Sequence, residues 1–126
     1  IKISKLNLNN LIILDGDDRL LTYLYKKAGW FIFPSLLKGF GLPMIEAMSL
    51  GCPVLCSHNS TFKELAGNSV AYFNPHDLGD FKFQLEKLIY SLTNLNENKI
   101  LRFERSKNFT WKKCAGKTFE VYKSLT

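Results

Sequence analysis

The stretch FIFPSLLKGFGLPMIEAMSLGCPVLCS, residues 31–57, reads as strand, loop, helix, strand. WFIF, residues 30–33, is apolar at every position, as a strand covered on both faces requires, and Pro34 closes it. Pro43 stands where a helix tolerates a residue without an N–H, and Gly51 stands where a left-handed C-cap belongs. A helix over 43–50 follows from those two signals. PVLC, residues 53–56, is then a second strand of the buried type.

The same alternation extends outward in both directions. NLIIL, 10–14, is an apolar run stopped by DGDD, which predicts a buried strand and a turn. From Asp18 the spacing of Leu20, Leu21, Leu24, Tyr25 and Ala28 is helical, with Asp17 or Asp18 as the cap and Gly29 as the stop. After SHNS, the spacing of TFKE, 61–64, is that of a capping box opening a short helix that ends at Gly67. VAYF, 70–73, is a further strand. Three helices follow: near 77–93 with Phe81, Leu85, Leu88, Ile89 and Leu92 as a stripe, near 97–108, and from Thr110 with Trp111, Ala115, Phe119 and Tyr122 turned inward. Strands separated by crossovers of this kind make a parallel sheet with helices on both faces, so the fold class is α/β. Four strands are expected, fewer than a complete doubly wound dinucleotide-type sheet holds. No internal repeat or low-complexity tract interrupts the pattern.

Composition bounds the partners. The chain has 126 residues, 46% of them apolar, enough for one core and one domain. It opens on Ile1, and is read as part of a longer protein. No apolar run reaches the length of a membrane span, and nothing N-terminal in these residues reads as a signal region, so a cytoplasmic protein is expected. The formal charge of +6 sits entirely in the C-terminal third: residues 82–126 hold ten Lys/Arg against four Asp/Glu, while residues 1–81 hold seven of each. Fourteen of the seventeen cations are lysines, whereas nucleic-acid readers lean on arginine and exposed aromatics, so no nucleic-acid partner is expected. The lysines read as scattered around helices, a solvated surface; a peripheral contact with the cytoplasmic face of a membrane stays open without a specific feature in its favour. Cys52, Cys56 and Cys114 lack metal-ligand spacing and read as reduced packing residues.

The chemistry belongs to the loop between 34 and 43. In an open α/β sheet, ligands bind beyond the carboxyl ends of the strands, where this loop lies. Gly39 and Gly41 allow close backbone approach, and free amides at the start of the helix favour an anion such as a diphosphate. Glu46, one turn into the helix, can accept hydrogen bonds from vicinal sugar hydroxyls. Glycines near a helix start are also common for structural reasons alone, and the pattern by itself leaves that alternative open. His58 and His76 read as exposed loop residues. Ser35 lacks the surroundings of a nucleophile elbow. Asp15, Asp17 and Asp18 suit turn and capping duty.

The wording of 31–57 closely resembles the signature of retaining, nucleotide-sugar-dependent glycosyltransferases of family 4, also called glycosyl transferases group 1, whose members read like F-P-S-x-x-E-G-F-G-L-P-x-x-E-A-M-A-x-G-x-P-V. NSTFKELAGNSVAYFNPHDLGDF and RSKNFTWKKCAGKTFEVYKSL look like that family's later landmarks, so the resemblance covers nearly all of 10–125. It implies a GT-B architecture of two Rossmann-like domains, with this chain as most of the C-terminal, donor-binding one. The N-terminal acceptor domain and the first part of this domain, with its basic pair for the diphosphate, would lie upstream. The implied reaction is transfer of a hexosyl unit from a nucleoside-diphosphate sugar to a hydroxyl acceptor in glycan synthesis, with no metal and no other cofactor.

The resemblance assigns the donor site to Gly39, Phe40, Gly41, Leu42, Pro43 and Glu46, the last for the ribose hydroxyls. Its first motif glutamate falls on Lys38, the implied catalytic position, where a lysine reverses the charge and offers only donors. Three readings compete there: Lys38 helps neutralise the leaving diphosphate, it marks altered donor choice, or it marks an inactive member. The alternative function is a non-catalytic nucleotide-sugar binding or interaction module; another GT-B enzyme, such as an epimerase or phosphorylase, is the third. Glu64 matches the family's loop glutamate and equally suits capping of its own helix. If the last helix crosses to the other domain, as in many GT-B members, its apolar face lacks a partner in this chain and favours self-association.

Overall fold

The computed structural model describes residues 10–36, 39–91 and 98–126. A three-stranded parallel sheet is ordered β1 (Phe31–Phe33), β2 (Val54–Ser57), β3 (Ala71–Phe73). β2 is the middle strand, and all its residues are buried, as its uninterrupted apolar sequence requires. Phe31, Ile32 and Phe33 stand beside Val54, Leu55 and Cys56, and Leu55, Cys56 and Ser57 stand beside Ala71, Tyr72 and Phe73. The two-residue period therefore sends Phe31, Phe33, Val54, Cys56 and Tyr72 to one face and Ile32, Leu55, Ser57, Ala71 and Phe73 to the other.

The first face carries the core. Tyr25 from α1 (Asp18–Lys27), Met44, Ala47 and Met48 from α2 (Leu42–Ser49), and Phe62, Leu65 and Ala66 from α3 (Ser60–Ala66) pack together on Val54 and Cys56. Aromatic rings run across this face: Tyr25 meets Phe31 edge-on at 5.1 Å, Phe31 stacks on Phe33 at 5.6 Å, and Phe33 meets Phe62 at 5.3 Å. α4 (Leu78–Tyr90) lies on the second face, where the Phe81 and Phe73 rings meet at 4.9 Å. Helices thus flank both faces, but unevenly, and Ile32 on β1 remains 36% exposed.

Local chemistry ends each helix. The Asp17 carboxylate accepts the amides of Arg19 and Leu20, Asp77 those of Gly79 and Asp80, and the Thr110 hydroxyl that of Lys113 at the start of α6 (Trp111–Ser124). α5 (Lys99–Ser106) packs across α2 and α3 and closes their C-terminal ends with two arginines. Arg102, 3% exposed, donates from Nη2 to the Gly51 carbonyl at 3.2 Å. Arg105 donates from Nε to the Leu65 carbonyl at 2.8 Å and from Nη2 to the Glu64 carbonyl. Cations at helix C-termini satisfy orphan carbonyls and oppose the negative end of the dipole.

Several expectations need correction. Residues 11–14 do not form a fourth strand; Ile12 and Ile13 stand exposed, because a strand needs a hydrogen-bonding neighbour and no described strand lies beside them. The cap of α3 is Asn59, whose Oδ1 accepts the Phe62 amide at 2.8 Å, two residues before the Thr61 of the expected capping box. Asn59 is already extended there and its carboxamide is the right length for that amide, so the helix begins a residue before Thr61. On α4, Phe81, Leu85 and Leu88 are half-buried while Ile89 is exposed; Leu92 lies outside the described residues. On α6, Trp111, Ala115, Phe119 and Tyr122 face outward, Trp111 at 77% exposure, since no described element packs over that helix.

Two outcomes test this packing. Phe62 is fully buried, so Phe62→Ala should cost about 3–5 kcal/mol and lower the urea midpoint accordingly; a loss below about 1 kcal/mol would contradict the core assignment. Burial pushes the Cys56 thiol up to about 12 and raises that of Cys52, whereas Cys114 is exposed. A thiol reagent at pH 8 should therefore label Cys114 quickly in the folded chain and reach Cys52 and Cys56 only after unfolding.

Candidate donor-binding site

β1 ends at Phe33, and the chain turns there into the glycine-containing loop that leads to α2. Gly41 is the N-cap of α2, in the left-handed region at φ 85°, ψ 44°. Its carbonyl accepts the Met44 amide at 3.0 Å and the Ile45 amide at 3.3 Å. A Cβ on Gly41 would lie 3.0 Å from Cε1 of Phe62 and 3.7 Å from Cδ1 of Leu65. Glycine is therefore required twice over, by its dihedral and by the floor that α3 places beneath it. Around Gly39 the opposite holds, since a Cβ there would meet nothing within 4 Å. One glycine seals the loop to the core, and the other leaves open space above it.

The start of α2 offers fewer free donors than the sequence suggests. Pro43 has no N–H, and the Met44 and Ile45 amides are taken by Gly41. Leu42 keeps an amide without a partner among the described residues, and it adjoins the loop backbone of Gly39, Phe40 and Gly41. Leu42 and Pro43 are exposed, and Phe40 presents its ring edge-on to Phe109 at 5.7 Å, with 73° between the ring planes. Gly39, Phe40, Leu42 and Pro43 are thus exposed on either side of the buried Gly41, on the loop that follows β1.

α2 divides its residues by face. Met44, Ile45, Ala47 and Met48 are buried, and Glu46 is exposed. Glu46 stands one turn after the N-cap, near Tyr25 of α1, whose hydroxyl pKa is raised first by burial, then by the Glu46 carboxylate, then by Cys52. The phenol therefore stays neutral, and Glu46 beside it is exposed to solvent. Lys38 lies outside the described residues.

Other candidates stand elsewhere. His58 and His76 are exposed in loops, as expected. His58 meets the Tyr72 ring edge-on at 5.5 Å and, with Phe73, Asn74 and Asp80, lines an open cleft of about 380 Å³ at the ends of β2 and β3. Two of its polar side chains are engaged: Asp80 accepts from the Asn74 amide at 2.6 Å and from Gln84 Nε2 at 3.2 Å, which holds its carboxyl below the usual range, and Asn74 Oδ1 accepts the His76 amide. Glu64 contributes its carbonyl to Arg105, and the cap of α3 comes from Asn59. Among the described residues, no group of three His, Cys, Asp or Glu gathers as metal ligands. No described helix is long and apolar enough to cross a membrane. Phe109 and Arg105, which reach the loop and the helix beneath it, were not singled out from sequence; only the F-T-W wording at 109–111 touched that region.

The sequence profile described as glycosyl transferases group 1 matches residues 2–103. O-antigen chain mannosyltransferase B of Escherichia coli is 34% identical over 111 residues, covering 86% of this chain and 28% of that protein. Serotype-specific mannosyltransferase WbdA, also of Escherichia coli, is 37% identical over 109 residues, 86% of this chain and 13% of its own length. O-antigen chain mannosyltransferase RfbU of Salmonella typhimurium is 44% identical over 57 residues, 45% of this chain and 16% of that protein. The chain therefore spans less than a third of the length of these relatives. Because the profile match runs from before α1 into α5 and takes in the whole of the loop and α2, the chain belongs to the glycosyl transferases group 1 family.

Proposed function

We propose that this chain is the donor-binding part of a retaining glycosyltransferase that moves a mannosyl unit from a nucleoside-diphosphate sugar to a hydroxyl of a growing glycan. The observation that carries it is the Gly41 cap, which sets exposed loop backbone and the N-terminus of α2 at the carboxyl end of β1, with Glu46 exposed one turn on. In the reaction the bond from the sugar's anomeric carbon to the diphosphate breaks, a bond to the acceptor oxygen forms on the same face, and the acceptor's hydroxyl proton passes to the departing diphosphate. The diphosphate leaves with the growing charge, and the loop amides with the helix dipole stabilise it. Glu46 accepts hydrogen bonds from the ribose hydroxyls and fixes the nucleotide along α2. The choice of mannose follows the names of the relatives; the hexosyl class follows the family.

Lys38 decides how the site performs. An ammonium directed at the diphosphate supports departure, whereas the family's carboxylate at that position would meet sugar hydroxyls. That charge reversal favours a second reading, a domain that binds nucleotide sugar without transferring it. Binding of a nucleoside diphosphate without transfer by the intact protein would select that reading.

Calorimetric titration with GDP, UDP and ADP should show binding of at least one. Glu46→Ala should then weaken it about 10- to 100-fold, the worth of roughly 1.5–3 kcal/mol for hydrogen bonds to a charged group. Unchanged affinity in that variant would remove Glu46 from the ribose. Gly41→Ala should both weaken nucleotide binding and lower stability by about 1–3 kcal/mol, because it combines a left-handed backbone with a contact on Phe62. The 126-residue chain by itself should transfer no sugar; measurable turnover by it would overturn the assignment of the acceptor site and the diphosphate's basic pair to other residues.

A further inference from the structure

We propose that Phe109 is a positioning residue for the donor loop, holding Phe40 and through it the Gly39–Pro43 backbone from a point far along the chain. The inference rests on the reading of that loop as the donor site. Phe40 is 45% exposed in a short loop, and its ring meets the Phe109 ring edge-on at 5.7 Å. An exposed aromatic on a loop has several rotamers available, and the backbone φ/ψ decides which of them are allowed, so ring and loop backbone are coupled. A fixed partner selects one.

Phe109 is well placed to be that partner, because its own position is determined from several sides. It packs against the main core cluster, and its amide donates to the Ser106 carbonyl at 3.0 Å. Ser106 is 5% exposed and ends α5, and the next residue after Phe109, Thr110, caps α6. α5 in turn is fastened by Arg102 to the Gly51 carbonyl and by Arg105 to the Leu65 and Glu64 carbonyls. Gly51 follows α2, and Leu65 lies beneath Gly41. The loop is thus gripped on two sides: Phe62 and Leu65 bear on Gly41 from the core, and Phe109 bears on Phe40 at the rim. The first contact fixes where the helix begins, and the second fixes how the exposed part of the loop faces a ligand. Preorganised loop backbone binds a ligand without ordering cost, which is the effect that Phe109 supplies.

The test is hydrogen exchange with mass spectrometry on the 126-residue chain, paired with titration by GDP, UDP and ADP. The variants are Phe109→Ala, Phe109→Tyr, and Phe119→Ala on the exposed face of α6 as the control. Phe109→Ala should speed exchange in the peptide over 39–45 about tenfold, leave the β2 amides of 54–57 protected as before, and weaken nucleotide binding about three- to tenfold. Phe109→Tyr keeps the ring and should behave as wild type, and Phe119→Ala should change neither. Unchanged exchange at 39–45 in Phe109→Ala overturns the proposal. So does exchange that rises equally at 54–57, which would make Phe109 a general stabiliser. Should wild type bind no nucleotide while Phe109→Ala still loosens 39–45 alone, the positioning stands and the donor reading fails. Should wild type bind with the loop and affinity indifferent to Phe109, the donor reading stands and the positioning fails.

Discussion

Gly41 stands in a left-handed conformation on the Phe62 ring, and the rest of the structure is arranged around that contact. A helix that begins there exposes Leu42 and Pro43 and is in the core from its third residue on, with Met44, Ala47 and Met48 fully buried on Val54 and Cys56. Had α2 begun one residue later with a conventional side-chain cap, its first turn would move away from the end of β1. Phe62 has to stay in place for the arrangement to hold. That makes the position of α3, a helix of only 7 residues, part of the site.

A helix this short cannot hold itself, because nucleation outweighs the few hydrogen bonds it makes. Three contacts from outside compensate. Asn59 caps its start, the Tyr72 hydroxyl donates its one proton to the nearer Gly67 carbonyl at 2.7 Å with the Phe62 carbonyl 3.2 Å away, and Arg105 donates to carbonyls of its last turn. α5 is therefore less an independent layer than a strap across the ends of α2 and α3. Arg102 does the same for α2 at Gly51, where burial lowers its pKa from the ordinary arginine value.

Much of this was legible in the sequence because the deciding signals are local. Asp17 before an apolar helical spacing, Pro43 and Gly51 at the two ends of α2, and an uninterrupted apolar run at 53–56 each act through neighbouring residues, and each falls where expected. The misreadings have non-local causes. Thr61 and Asn59 both suit a cap, and only the approach of the chain from β2 selects Asn59. Residues 11–14 have strand composition, but a strand exists only with a neighbour, and composition cannot supply one. The stripe on α6 was read inward on the rule that apolar faces seek cover, and in this chain it is open. Phe109 was invisible as a site residue because its partner Phe40 lies in another motif; only a fold brings the two rings together.

α2 therefore serves two purposes that its helical period keeps apart. Residues on one side of it fill the core, and Glu46 on the other meets solvent beside Tyr25. A change at exposed Glu46 leaves the buried face of α2 and the Gly41 cap intact, so it has little effect on folding. Gly41 belongs to both sides at once: its dihedral starts the helix, its missing Cβ admits Phe62, and its peptide borders the open space at Gly39. Phe109 stands between these cases, joined to the core and to the rim of the loop, and its contribution to binding is separable from its contribution to folding because the Phe40 contact lies outside the buried cluster.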